Sequence, residues 1–252
     1  MARESAFPSE SMAFDMRAQK IIRNLSVDAQ DHAQQSHPLD TPREITKLFV
    51  IDASGLAMRD LLTQHFHDHL AATQATLESL LGPLEQAITQ CHRAVTQNQR
   101  VLACGNGGSA ADCQHFVAEL VGRFERERRP LPAISLTTDT SILTAVGNDY
   151  GFERVFSRQV TALGQPGDVL LGISTSGNSA NVVQAIDAAH ENGLTVIALT
   201  GRDGGHIAGL LREGDVQLCV PHARTMRIQE MHILLLHLIC EGVDALILGE
   251  ES

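Results

Sequence analysis

From residue 101 onward the chain alternates between two patterns. Short, nearly continuous apolar runs appear as VLACG (101–105), AISLTT (133–138), DVLLGIST (168–175), TVIALTG (195–201) and VQLCVP (216–221). Between them lie stretches with helical periodicity: SAADCQHFVAELVGRF (109–124), material through Leu163, NSANVVQAIDAAHENG (178–193), a short piece near 204–212, and a long apolar helix from about Thr225 to Leu248. Runs that are apolar at every position fit strands buried on both faces. Alternation with helices then predicts an α/β fold with a five-stranded parallel sheet. In such sheets ligands sit beyond the carboxyl ends of the strands, near the point where strand order reverses.

The first 57 residues read differently. They carry scattered charge and polar clusters such as AQDHAQQSH, with KLFVI (47–51) as a single strand-like run. We expect residues 1–57 to be an extension, poorly ordered, and residues 58–252 to form one domain. Met12, Met16 and Met58 are all conceivable starts. The domain opens with two helices: MRDLLTQHFHDHLAATQATLESLLG, ending at Gly82, and a second beginning at Pro83, a residue suited to a first helical turn.

Composition removes several functions. Lys+Arg 19 against Asp+Glu 30 gives a formal charge of −11, with no Trp and the single Tyr150. Such a chain has neither the basic stripe nor the stacking platform of a nucleic-acid binder. Lysine occurs only at Lys20 and Lys47, so the main body has no P-loop lysine and no Schiff-base nucleophile. The five cysteines (Cys91, Cys104, Cys113, Cys219, Cys240) form no C-x-x-C, which fits buried free thiols rather than a disulfide or zinc scaffold. No secretory h-region is present near the start, and MHILLLHLIC (231–240) reads as too short and too polar to span a bilayer. A cytoplasmic location follows as the expectation.

Three constellations carry chemistry. In CGNGGSAADCQHFVAEL (104–120) a glycine-rich turn joins a strand to a helix, where free N–H groups can receive an anion. The same helix places His115 and Glu119 four residues apart on one face, suited to a shared metal or an acid–base pair. A hydrogen-bonded pair without catalytic use is the commoner outcome of that spacing. In GISTSGNSANVV (172–183), Ser174, Thr175, Ser176 and Ser179 surround Gly177 at another strand-to-helix junction. Capping needs only one hydroxyl; the set reads as a phosphate cradle that requires no lysine. In RIQEMHILLLHLICEGVD (227–244), Gln229, His232 and His237 lie in an apolar helix. Gln229 and His237 stand roughly 12 Å apart along an ideal axis, so one small ligand meets both only if the glutamine leans over or the two come from different subunits. A lone histidine in such a helix is ordinarily a core residue. HFHDH (65–69) and RFERERR (123–129) read as solvated surface, although Arg123 could reach a phosphate at a subunit boundary.

Together with VGNDYGF (146–152) and ALTGRDGG (198–205), these motifs resemble the phosphoheptose isomerases of the sugar-isomerase (SIS) domain group, from about Met58 to the end of the last helix. The resemblance implies a doubly wound, flavodoxin-like sheet flanked by N-terminal helices, assembled as a homotetramer with sites at subunit boundaries. It implies Zn2+ held by His115, Glu119, Gln229 and His237. It implies substrate contacts from Asn106, Gly107, Gly108, Glu119, Asn148, Asp149, Ser174, Thr175, Ser176, Ser179 and Gln229. The implied reaction converts sedoheptulose 7-phosphate to D-glycero-D-manno-heptose 7-phosphate, a precursor of the lipopolysaccharide core, with Glu119 as base and His237 as proton shuttle. A glutamate that binds metal is less free to act as base, and that tension stands. One departure is Met226, where some members carry Asp three residues before the glutamine. The implied partners are a sugar phosphate and further copies of the chain, with no membrane and no nucleic acid.

Two other classes share this fold. One is a non-enzymatic SIS protein that binds a replication initiator; the other is a sugar-phosphate sensor that binds without turnover. Retention of His115, Glu119, Gln229 and His237 together favours the enzyme, since a binding protein has no need of all four.

Overall fold

The computed structural model describes residues 42–249, with side chains from Ala57 onward. The chain divides into two units, Met1–Thr63 and Gln64–Ser252; in the first, the described residues are helical from Pro42. The rest of the expected extension, residues 1–41, lies outside the described residues. The run KLFVI, expected as a strand, is helical. A five-residue apolar run does not distinguish strand from helix by periodicity alone.

Helix α1 spans Pro42–Thr96 without a break. The two helices expected on either side of Gly82 are therefore one. The physical reason is the buried stripe. Ala72, Thr76, Leu80, Leu84, Ala87, Cys91 and Ala94 are all buried, at steps of three and four that run straight through Pro83. Continuing the helix keeps that stripe on one core, and this outweighs the hydrogen bond that Pro83 cannot donate.

Five strands follow: β1 (Val101–Gly105), β2 (Ala133–Ser135), β3 (Val169–Ile173), β4 (Thr195–Gly201) and β5 (Val216–Val220). They form one sheet in the order β2-β1-β3-β4-β5, parallel throughout. The connecting helices are α2 (Gly108–Val121), α3 (Thr140–Tyr150), α4 (Ser157–Leu163), α5 (Ala180–Glu191), α6 (Gly205–Ala208) and the closing α7 (Thr225–Leu248). This is the expected five-stranded parallel sheet. It is doubly wound and flavodoxin-like in strand order.

Strand periodicity divides the core in two. Val101, Ala103, Val169, Leu171, Ile197 and Leu199 face α1, α2 and α7, where Phe116, Leu120, Met231 and Leu236 complete the packing. Leu102, Cys104, Leu170, Val196 and Ala198 face the other way, toward Phe156, Val160, Val182, Ile186 and Ile207. Alternate side chains thus serve opposite layers, and both layers are apolar, which is why the strands read as unbroken apolar runs.

Helix α7 runs Thr225–Leu248, as its pattern indicated, so MHILLLHLIC is only part of a longer apolar helix. By length and composition its 24 residues could cross a membrane, with a mean hydropathy of 1.8. Here Ile228, Met231, Leu235, Leu236, Ile239, Cys240 and Val243 are buried in the core instead. Of the five free cysteines, four are buried and Cys219 is partly so. Burial alone pushes the Cys91 and Cys104 thiols up to about 12, so neither is a thiolate near neutral pH.

Candidate active site at the switch point

The chain leaves β1 for β2 on one side and returns to β3 on the other. The crevice between the carboxyl ends of β1 and β3 is therefore the topological switch point. Both glycine- and hydroxyl-rich loops open there.

The β1 loop is Asn106–Gly107, leading into α2. Gly107 has φ +57 and supplies no side-chain cap, and among the described residues the backbone N–H groups of Gly107 and Gly108 find no backbone acceptor. In the β3 loop Gly177 has φ +67, and a methyl group there would strike the Gly204 carbonyl. The Gly177 N–H donates to Ser174 O at 2.9 Å, and the Ile207 N–H donates to Gly177 O at 3.0 Å. The turn is thus closed on itself and pinned to the β4 loop. Among the described residues the N–H groups of Thr175 and Ser176 find no backbone acceptor. The start of the 12-residue α5 adds its dipole. These free amides and hydroxyls form a cradle for an anion.

The hydroxyls divide by role. Ser174 is buried, and its Oγ pairs with Ser179 Oγ at 2.9 Å. Ser176 Oγ accepts from the Asn178 N–H at 3.2 Å and is partly exposed. Ser174 holds the turn together, while Thr175 and Ser176 face outward. Asn181, which the sequence reading missed, joins the two loops: its amide exchanges two 2.8 Å hydrogen bonds with Asn106. Asn181 is buried. An asparagine in the first turn of a helix, just past its cap, was the available signal.

Helices α2 and α7 carry the acid–base groups. His237 Nε2 lies 3.0 Å from His115 Nε2, and His115 Nε2 lies 3.2 Å from Glu119 Oε1. His115 thus touches both, while Glu119 and His237 do not pair directly. Among the described residues no three His, Cys, Asp or Glu side chains already surround a common centre. The chemistry of the donors nevertheless suits zinc: two imidazole nitrogens and a carboxylate oxygen, with His115 Nε2 at 3.0 and 3.2 Å from the other two. Gln229 sits farther along the same helix pair, against Gly108, where a methyl group would strike its amide. It also faces Asp112. Burial raises the Asp112 carboxyl above the usual carboxylate range, opposed by the Gln229 amide and by His115. Asp112 Oδ2 is buried without a partner. The structure therefore ranges Gln229, His115, Glu119 and His237 along one α2–α7 seam of a single chain. His237 reaches His115 within one chain, but Gln229 lies at Gly108 and Asp112 and does not join that cluster, so the roughly 12 Å between Gln229 and His237 stands.

The remaining expectations divide. His232 is a core residue: it is fully buried, Nε2 donates to Thr200 O at 2.9 Å, and burial lowers its pKa to about 4. Asn148 and Asp149 are exposed on α3 and bond to each other at 2.7 Å, with no hydrogen bond to either loop. HFHDH ties α1 to α7 rather than lying free: His69 Nδ1 meets Glu230 Oε2 at 2.8 Å, and Arg227 Nη2 donates to His65 Nδ1 at 3.1 Å. Arg123 binds Glu125 O at 3.0 Å within its own segment. RFERERR is not wholly solvated, because Arg128 is buried against Asp244. An apolar core helix with one internal carboxylate requires one internal cation, a long-range match invisible in a mixed-charge run.

Residues 64–201 match the SIS domain family. The phosphoheptose isomerase of Bordetella avium is 61% identical over 193 residues, covering 77% of this chain and 98% of that protein. That of Neisseria meningitidis is 57% identical over 191 residues, covering 76% and 97%. Among solved structures, the phosphoheptose isomerase of Neisseria gonorrhoeae matches with a TM-score of 0.71 at 54% identity, covering 75% of this chain and 99% of its own. That of Francisella tularensis gives 0.73 at 41%, covering 74% and 98%. This chain belongs to the SIS domain family, among its phosphoheptose isomerases.

Proposed function

We propose that the protein interconverts sedoheptulose 7-phosphate and D-glycero-D-manno-heptose 7-phosphate, supplying heptose for the lipopolysaccharide core. The observation that carries this reading is the His115–Glu119–His237 cluster in the same α/β unit as an anion cradle at the switch point. An aldose–ketose isomerase needs one group to hold the phosphate and two to move protons between adjacent carbons and their oxygens.

In this mechanism the free amides of the β3 loop, with Thr175 and Ser176, hold the phosphate and fix the sugar's register. Gly107 and Gly108 admit the chain of hydroxyls close to the backbone. Glu119 takes the proton from the carbon beside the carbonyl and returns it to the neighbouring carbon. His237 moves the proton between the two oxygens, and its contact with His115 orients its ring. His115, Glu119 and His237 of one chain would hold Zn2+, with Gln229 as a further ligand supplied from a different subunit, and the bound ion would polarise the carbonyl. Asn148 and Asp149 serve the substrate in the family pattern, and their exposure on α3 leaves them free to do so.

A homotetramer fits the surface. Phe66 is 73% exposed, and Leu70, Leu77 and Leu81 of α1 are each more than half exposed. Helix α3 buries none of its residues within this chain. Apolar area of that extent is ordinarily covered by a partner. A phosphorylated sugar substrate supports a cytoplasmic location.

Turnover of sedoheptulose 7-phosphate by the purified protein tests the proposal. Turnover that falls with a chelator and returns with zinc supports isomerase and metal together. Chelator-insensitive turnover keeps the isomerase and removes the metal role. A folded protein without turnover overturns the isomerase.

A further inference from the structure

Helix α2 ends at Val121, and its last carbonyls have no intrahelical donor. One buried guanidinium collects them. Arg128 Nη2 donates to Glu119 O at 2.8 Å, and Nη1 donates to Leu120 O at 2.9 Å, Gly122 O at 3.3 Å and Arg129 O at 3.2 Å. Its Nε donates to Asp244 Oδ1 at 2.6 Å, and both side chains are 1% exposed. A cation at a helix C-terminus also meets the negative end of the dipole. Lysine, with a single ammonium, cannot span this set.

Each partner belongs to the active-site geometry. Glu119 is bound through its own carbonyl. Asp244 lies two turns beyond His237 on α7. The segment that Arg128 closes, from Gly122 onward, carries Phe124, whose ring centroid is 5.6 Å from that of His237 at a 34° tilt. One side chain thus links the backbone of the base, the helix of the proton shuttle and the ring packed against that shuttle.

We propose that Arg128, with Asp244, is a positioning residue that sets Glu119 against His237 for catalysis. The proposal rests on the catalytic roles given above to those two residues. Capping α2 is a stability role for Arg128, but the ion pair with Asp244 adds little to it, since a buried ion pair is often replaced by apolar residues of similar size at no cost. Among the described residues Asp244 Oδ2 has no partner even here. Catalysis is less tolerant, because a displacement of about 1 Å can cost about 100-fold in rate.

The test compares the wild type, Arg128→Lys and the double variant Arg128→Met/Asp244→Leu. Thermal melting, kcat and KM are measured, together with the histidine spectrum of protein labelled at the imidazole carbon. The His237 signal is assigned by its loss in His237→Gln. The expected double variant folds but melts below wild type, because the α2 carbonyls lose their donor; it keeps KM within about twofold and loses at least about tenfold in kcat. Arg128→Lys falls between. In both, the His237 signal moves because the Phe124 ring current changes, while that of His232 stays. A folded double variant with wild-type kcat and an unmoved His237 signal overturns the proposal. If the double variant does not fold, wild-type kcat and an unmoved signal in Arg128→Lys overturn it instead. If even the wild type does not turn over, the isomerase reading fails and the catalytic positioning role falls with it, whereas wild-type turnover with unchanged variants overturns the positioning role alone.

Discussion

The phosphate cradle and the acid–base seam are built from different material. The cradle is backbone: free amides at the β1 and β3 loops, held by Gly177, the Ser174–Ser179 pair and the Asn106–Asn181 exchange. Its geometry follows from the sheet, and most of its bonds are local. The seam is side chain: His115, Glu119 and His237 meet because α2 and α7 pack against one core and Arg128 ties their ends. Binding chemistry can therefore be written into a loop, whereas proton transfer depends on contacts between residues more than a hundred positions apart.

The seam gives the largest expected effect. Glu119→Gln keeps the shape of the side chain but cannot accept a proton. Its kcat should fall by about 10²–10⁴-fold, with melting unchanged. Measured kcat and melting temperature check both halves; wild-type turnover in the variant would remove Glu119 as base. The cradle breaks differently. Gly177→Ala places a methyl group against Gly204 O at φ +67, so the loss should be structural, about 3 kcal/mol or more. Denaturant unfolding measures it, and a variant as stable as wild type would show that the turn relaxes freely.

Two histidines on α7 sharpen the contrast. His237 faces the seam, while His232, five residues earlier, is buried and donates to Thr200 O. Its pKa is about 4 in the folded state against about 6.5 when exposed. The unfolded chain therefore binds more protons between those values, and acid favours unfolding. The stabilisation is complete above about pH 6.5 and is lost as pH falls toward 4, amounting to at most about 3 kcal/mol. Unfolding free energies at pH 7.5 and pH 5 should differ by less in His232→Gln than in wild type. An equal difference would place the acid sensitivity elsewhere.

What the sequence disclosed follows the same division. The sheet was legible because parallel strands buried on both faces leave unbroken apolar runs. The cradle was legible because glycines and hydroxyls cluster within a few residues. The seam was half legible: the i, i+4 pair His115–Glu119 is local, but its meeting with His237 is a tertiary contact. Arg128 was hidden because a charged run does not show which member turns inward. The α1 boundary was misread because Gly82–Pro83 is a local stop signal, whereas the stripe from Ala72 to Ala94 is a longer-range one and prevails.

The smallest effect separates the two serines of the cradle. Ser176 Oγ accepts one bond from the Asn178 N–H and is otherwise turned outward. Ser176→Ala should leave melting nearly unchanged and raise KM by several-fold, the equivalent of about 1 kcal/mol for one lost hydrogen bond. Ser174 is buried and spends its hydroxyl on Ser179. Ser174→Ala should instead lower stability by about 1–2 kcal/mol, because Ser179 Oγ loses its partner. KM would then rise only as far as the turn loosens. Melting and KM measured on both variants read this crossover. If both serines moved KM and neither moved melting, Ser174 would be a substrate ligand rather than a strut, and the internally braced cradle would give way to one completed only when phosphate binds.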